Sequence, residues 1–306
     1  MSNHIYIVGA GAIGEALAVF LHLNKKQVTL IRGSVDDGRH YHKNIKVVKA
    51  ERVLEAEIEI NSLSNFSVLD GIVVITTKSF GNENLAQMLK DKIGSSPLVL
   101  LQNGLGVELP FVSLKFGHIY RCVLFVTSQK LDGEVKFKPV SACPIGVVHG
   151  PGHQLPTIVE QLTSSNFSFS AEQDIRPIVW KKAIVNSIFN SVCPLLEIDN
   201  GVFRREQAAR MIAERMIDEC LHVAKAKGIT LRASEVLETL LQISTLSDGQ
   251  LISTLQDIRR GRPTEIDTLN FAIVAIARTK DIGHLVTETK LLGELVRLKA
   301  KASQNK

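Results

Sequence analysis

At 306 residues and 45% hydrophobic, the chain has length for two moderate domains, each with ample core. Its formal charge of +5 is modest, and 36 Lys and Arg are scattered among 31 Asp and Glu, which argues against nucleic acid as a partner and for small anionic ligands. The four cysteines, Cys122, Cys143, Cys193 and Cys220, form no Cys-x-x-Cys pair and read as reduced core thiols; His40 and His42 form a close pair without the partners of a metal site, so no metal is expected. The chain enters an apolar strand at Ile5, leaving no room for a secretion signal, and no apolar run is long enough to span a bilayer. A soluble, cytoplasmic protein without a membrane partner is expected.

Ile5-Tyr6-Ile7-Val8 reads as a buried strand running straight into Gly9-Ala10-Gly11-Ala12-Ile13-Gly14, a Gly-x-Gly-x-x-Gly turn at a helix start. Gly9 permits the tight turn, Gly11 lets backbone approach a pyrophosphate, and Gly14 lets the helix pack on the strand. The phosphates would meet N–H groups at the positive end of the helix. A glycine turn that binds nothing is the plain alternative, but a second apolar strand at Val28-Thr29-Leu30-Ile31 completes the βαβ context of a dinucleotide site.

At the tip of that second strand stands Arg32, where a site for NAD carries an acid for the ribose 2′-hydroxyl; a cation suits a 2′-phosphate, so NADPH is favoured over NADH. Asp36 and Asp37 compete for that role but lie in the loop beyond, and Arg32 as an ordinary surface arginine is the bland reading. Residues 45–60 alternate like a hairpin. A buried parallel strand over 71–78 ends in Thr76-Thr77-Lys78, which sets Lys78 at the carboxyl end of the sheet, where ligands bind; 98–106 repeats the pattern and ends in Gln102-Asn103-Gly104. Asn103 there can hydrogen-bond both nicotinamide ribose and substrate, or serve only as an Asn-Gly turn. An apolar strand over 120–128, a hairpin at Asp132-Gly133 and a run at 145–148 read as the far edge of the sheet.

After a strand near 167–170 the pattern turns helical, which divides the chain into a Rossmann-type α/β domain over 1–170, a doubly wound sheet, and an all-α domain over 171–306. In the helix over 180–190, Lys182, Asn186 and Asn190 recur every four residues and share one face; Ile184, Val185, Ile188 and Phe189 flank them closely, so the stripe reads as partly buried and facing a cleft. Asn200-Gly201 forms a turn. Residues 204–227 read as one long helix whose apolar side (Ala208, Met211, Ile212, Met216, Cys220, Val223) is core or dimer contact. Pro263 suits a first helical turn, with Glu265 and Asp267 complementing its dipole, and a last helix over 287–301 ends in a frayed basic tail.

Taken in order and spacing, the glycine turn, Thr77-Lys78, Gln102-Asn103-Gly104, Lys182 with Asn186 and Asn190, and Ser253 with Leu255-Gln256-Asp257 and Thr264-Glu265-Ile266-Asp267 resemble the ketopantoate reductase family over nearly the whole chain. The resemblance implies NADPH-dependent reduction of 2-dehydropantoate to (R)-pantoate, a step towards pantothenate and coenzyme A. Lys182 matches the family's general acid, in keeping with the need for an ammonium at a developing alkoxide. Asn186, Asn190, Asn200 and Ser253 match positions that hold the substrate, and Asn103 one shared between substrate and cofactor. Arg32, Lys78 and Glu265 match positions that contact cofactor, Glu265 being also a candidate to orient Lys182. The segment 127–138 matches only loosely, and Asn270-Phe271 replaces the family's common Asn-Gly. The alternatives are another branched 2-oxo acid as substrate, or a catalytically silent NADPH-binding regulator.

Overall fold

The computed structural model describes residues 2–33 and 35–304, and its contacts divide the chain into two compact units: Met1–Gln102 with Val107–Ile175, and Arg176–Lys306 with the short segment Asn103–Gly106.

The first unit runs β1 (Ile5–Val8), α1 (Ala12–Leu23), β2 (Val28–Ile31), β3 (Tyr41–Lys49), β4 (Arg52–Asn61), β5 (Ile72–Ile75), α2 (Asn82–Lys90), β6 (Leu98–Leu100), α3 (Leu109–Ser113), β7 (Ile119–Cys122), β8 (Val126–Leu131), β9 (Glu134–Pro139), β10 (Cys143–His149), α4 (Leu155–Leu162) and β11 (Phe169–Ala171). The strands form one sheet in the order β11-β10-β7-β6-β5-β1-β2-β4-β3-β9-β8. β1 pairs in parallel with β2 on one side and β5 on the other, so the chain reverses direction across the sheet at β1. That reversal is the switch point at which open α/β sheets bind ligands.

Strand alternation supplies both faces of the sheet. Ile5, Ile7, Leu30 and Val74 pack with α1 and α4, while Val8, Ile31, Val73 and Ile75 pack with α2 and α3. This is the doubly wound Rossmann-type arrangement expected. α1 is buried from Gly14 to Leu21, and burying Leu17, Phe20 and Leu21 contributes about 1.5–3 kcal/mol each.

Two expectations for the sheet need correction. The apolar stretch 120–128 is not one strand: it breaks after Cys122, and β8 starts afresh at Val126. Nor do the later strands share an edge. β10 and β11 end one side of the sheet, whereas the β8–β9 hairpin joins β3 at the opposite end and reaches α1, where Phe137 meets Phe20 edge-on and Lys130 pairs with Glu15.

The second unit is helical: α5 (Arg176–Leu196), α6 (Val202–Arg205), α7 (Gln207–Ala226), α8 (Ala233–Leu246), α9 (Ser253–Arg259), α10 (Asn270–Thr279) and α11 (Thr287–Gln304), with a 3-10 turn at Ile266–Thr268. α5 is the core helix. Ile184, Ile188, Phe189 and Cys193 pack against Met216, Cys220, Leu240 and Ile273. Ser187 satisfies its buried hydroxyl by donating to the Ala183 carbonyl at 2.8 Å.

Here too the pattern alone misleads at boundaries. The helix expected over 204–227 is split at the extended Glu206, because Arg205 is tied to Asp199 and Asp248 and fixes the end of α6. The buried side of α7 is Ala209, Ala213, Met216, Ile217 and Cys220, while Met211 is exposed. Pro263 does not begin a helix: a 3-10 turn intervenes, α10 starts at Asn270, and Asp267 pairs with Arg297 rather than serving a helix start. α11 continues to Gln304, past the point expected to fray.

Candidate active site

The glycine turn is closed on two sides and open on the third. Gly9 has φ +126°, a conformation L side chains rarely adopt, and a Cβ there would lie 2.7 Å from both the Thr76 Oγ1 and the Thr77 nitrogen. On Gly14 it would stand 1.9 Å from the Gly9 carbonyl oxygen; on Gly11 it would meet nothing within 4 Å. Gly11 is also the residue before α1, whose first turn directs its N–H groups outward. Packing thus explains two glycines and leaves the third to close approach from outside the chain, which fits a pyrophosphate on a helix start. Ala10, Ala12 and Ile13 pack partly buried against the core and supply backbone to this turn.

Thr76 holds the turn by donating to the Val8 and Gly9 carbonyls at 3.2 and 2.9 Å. Lys78 is exposed at the carboxyl end of β5, as its position in the sequence implies. Behind it the buried side chains of Gln102 and Asn82 exchange two amide hydrogen bonds at 2.7 and 2.8 Å, and Gln102 also donates to the Thr77 carbonyl at 2.9 Å. This amide pair fixes the ends of β5 and β6.

At the tip of β2, Arg32 is engaged by Asp37, donating from Nη1 to Oδ2 at 3.1 Å and from Nη2 to Oδ1, and Nη2 also reaches the Ser62 Oγ at 2.6 Å. Hydrogen bonding from Arg32, then from the Arg39 backbone N–H, holds the Asp37 carboxyl well below the usual carboxylate range. Asp37, five positions beyond Arg32 in sequence, therefore brings a carboxylate to the strand end. The sequence offers Asp36 and Asp37 equally as candidates in the loop beyond; of the two, Asp37 is the one that meets Arg32.

In the second unit the polar stripe of α5 has the character its flanks imply: Lys182 and Asn186 are half-buried and Asn190 is buried. Asn190 donates from Nδ2 to the Asn186 carbonyl at 2.8 Å, which leaves its Oδ1 facing Ser253, whose Oγ lies 3.5 Å away at the start of α9. Asn190 and Ser253 are thus brought together across 63 residues. Asn200 is set by a separate network: its N–H donates to the Gln250 carbonyl at 2.9 Å, and its own carbonyl accepts from Ser244 Oγ at 2.7 Å. Its buried side-chain Oδ1 has no partner among the described residues, an acceptor suited to a hydroxyl from outside the chain.

The Asn200–Gly201 turn is braced by Asp199, which accepts from the Gly201 N–H at 2.8 Å and from Arg205 at 2.8 Å. Arg205 and these backbone groups hold the Asp199 carboxyl well below its ordinary range. Neither this brace nor the Gln102–Asn82 pair is visible in the sequence, where Gln102 stands only as part of a strand-end motif.

Asn103, half-buried, opens the segment that belongs with the helices. The following Gly104 has φ +100° and packs on Thr268, and the Leu105 N–H donates to the Thr268 carbonyl at 2.8 Å. Thr268 in turn donates from backbone N–H and hydroxyl to the Glu265 carbonyl at 3.1 and 3.2 Å. The loop of Asn103 and the turn of Glu265 are therefore bound to each other, a link that 161 intervening positions conceal. No cluster of metal-ligating side chains occurs among the described residues, and no helix among them is long and apolar enough to cross a membrane.

Residues 5–149 match the family model described as ketopantoate reductase PanE/ApbA, and residues 174–300 match the model of its C-terminal part. The chain belongs to the ketopantoate reductase family. Among relatives, the 2-dehydropantoate 2-reductase of Pyrococcus horikoshii is 28% identical over 280 residues, covering 90% of each chain. That of Streptococcus pyogenes serotype M6 is 25% identical over 96% of this chain and 97% of its own. Solved structures share the fold: a dimeric ketopantoate reductase from Staphylococcus aureus (TM-score 0.82, 18% identity) and a D-mandelate dehydrogenase with NADH and anilino(oxo)acetate (TM-score 0.84, 22% identity) each cover 98% of this chain and 99% of their own. As a ketopantoate reductase family member, the chain is an oxidoreductase with a Rossmann-type unit.

Proposed function

We propose that the chain is an NADPH-dependent 2-dehydropantoate 2-reductase, reducing ketopantoate to (R)-pantoate on the way to pantothenate and coenzyme A. The observation that carries the reading is the stripe on α5, an amine and two amides kept half-buried to buried on an otherwise apolar core helix, with Ser253 meeting its inner end. Set along one helix face, an ammonium and amide groups offer the donors and acceptors that a 2-oxo acid's carboxylate and carbonyl oxygen need. The names of the relatives that match nearly the whole chain support the substrate.

Gly9 to Gly14, Arg32, Lys78, Asn103 and Glu265 are the residues proposed to hold NADPH, whose bound nicotinamide supplies a hydride to C2 of the 2-oxo acid. Lys182 donates a proton from Nζ to the carbonyl oxygen, so that the ketone becomes a secondary alcohol with no charge left on oxygen. Asn186, Asn190, Asn200 and Ser253 hold the substrate's carboxylate and hydroxyl by directed hydrogen bonds. The test is consumption of NADPH absorbance with ketopantoate, run beside NADH and beside other branched 2-oxo acids. Turnover of ketopantoate well above the other acids supports the assignment; turnover of another acid alone moves the substrate, and NADPH binding without any turnover means a silent binding protein.

A homodimer is the proposed assembly. It is supported by the dimeric Staphylococcus aureus relative and by Leu291, Leu295 and Leu298, exposed along one side of α11. Light scattering on the purified chain reads its mass directly.

A further inference from the structure

Arg32 and Asp37 bring two opposite recognition devices to one strand end. A carboxylate there accepts from the 2′-hydroxyl of an adenosine ribose, and an arginine there takes a 2′-phosphate. This chain carries both, already bound to each other. Both terminal nitrogens of Arg32 are engaged: Nη1 and Nη2 with the two oxygens of Asp37, and Nη2 also with Ser62 Oγ at 2.6 Å and the Arg39 carbonyl at 3.3 Å. Nε is buried without a partner among the described residues. Asp37 is held just as firmly, its Oδ1 accepting from the Arg39 N–H at 3.0 Å and from Ser62 Oγ at 3.3 Å, with Arg39 Nε 3.4 Å from Oδ2. Asp36 is engaged elsewhere, its carboxylate accepting from the Ser64 N–H and hydroxyl at 2.9 and 2.7 Å.

We propose that Asp37 is the specificity-determining residue for the ribose end of the cofactor, holding Arg32 back from a 2′-phosphate and so keeping NADH usable beside NADPH. A 2′-phosphate must displace the Asp37 carboxylate from Arg32 and then sit beside it, anion against anion. A 2′-hydroxyl is neutral, and donates to that carboxylate with the Arg32–Asp37 pair left intact. Asp37 thus offsets part of the advantage that Arg32 gives to NADPH. The inference rests on reading the first unit as a nicotinamide-dinucleotide site.

The test is calorimetric binding of NADPH, NADH, adenosine 2′,5′-bisphosphate and 5′-AMP to the full chain as wild type, Asp37→Asn, Asp37→Ser and Arg32→Ala. Wild type should bind NADPH no more than about tenfold tighter than NADH, and both Asp37 variants should widen that ratio about tenfold through tighter NADPH binding. Adenosine 2′,5′-bisphosphate should follow NADPH while 5′-AMP stays unchanged, and Arg32→Ala should abolish the preference. A ratio that stays within about twofold of wild type in both Asp37 variants, or narrows, overturns the role of Asp37 while leaving the dinucleotide reading intact. Failure of the wild type to bind either dinucleotide rejects that reading and the inference with it. Loss of folding in both Asp37 variants also overturns it, since a residue that only selects ligands carries no fold.

Discussion

A Cβ placed on Gly14 would stand 1.9 Å from the carbonyl oxygen of Gly9, so the last glycine of the turn is required by the packing of α1 on β1 whether or not anything binds. Gly11 is the opposite case, with open space where its Cβ would be. Gly14→Ala is expected to cost at least about 1–3 kcal/mol by overpacking against backbone that cannot yield. Gly11→Ala should melt within about 1 °C of wild type and yet bind NADPH about tenfold more weakly, because the added methyl fills the approach to the helix start. Thermal unfolding and calorimetry on the two variants read the two effects separately.

Ser253 and Asn190 are set against each other at the end of the α5 stripe. Truncating either removes one hydrogen bond proposed to hold the substrate, worth about 1.5–3 kcal/mol where the acceptor is charged. Ser253→Ala should therefore raise KM for ketopantoate about tenfold or more while the dissociation constant of NADPH is unchanged. Equal weakening of substrate and cofactor would mean that the variant has disturbed the fold instead.

Glu219 joins two helices by capping one of them. From α7 its carboxylate accepts from the N–H groups of Glu288 and Thr289 at 2.8 Å each, and from the Thr289 hydroxyl at 2.7 Å, so that negative charge sits at the start of α11. Glu219→Ala should lose about 1–2 kcal/mol of stability. Denaturant unfolding measures the loss, and Glu219→Gln, which keeps an acceptor but not the charge, should recover part of it.

Burial pushes the Cys193 thiol up to about 12, with Asp199 adding to the effect, and burial likewise pushes Cys220 up to about 12. All four cysteines are buried thiols. In the unfolded chain these thiols ionise near pH 8.5 or so, while the folded protein keeps Cys193 and Cys220 protonated. The unfolded state thus binds fewer protons, so these groups leave stability unaffected below about pH 8 and subtract from it as pH rises towards 12. Folded protein should react negligibly with a thiol reagent at pH 8, and all four thiols should react in denaturant.

The βαβ core was legible in the sequence because each signal there is local: an apolar run, a glycine turn, an amphipathic helix and a second apolar run follow without interruption. The stripe on α5 was legible for the same reason, as a period within one helix. What escaped depends on how the chain turns between elements, which no periodicity records. The return of Asp37 to Arg32, the reciprocal amides of Asn82 and Gln102, and the Asp199–Arg205 brace are each decided by where a loop ends in space. The 3-10 turn at Ile266–Thr268 escaped differently. A proline and two acids read as a helix start, yet Asp267 is drawn to Arg297 on a helix whose packing no local window contains.

Under the proposed function, Lys182 completes a reduction whose hydride donor is held by the glycine turn. The most direct measurement is steady-state NADPH oxidation with ketopantoate by wild type and Lys182→Ala, alongside NADPH binding to both. kcat is expected to fall about a hundredfold to ten-thousandfold in the variant, with the NADPH dissociation constant within about twofold of wild type. Unchanged turnover in Lys182→Ala, with NADPH still bound, would contradict it.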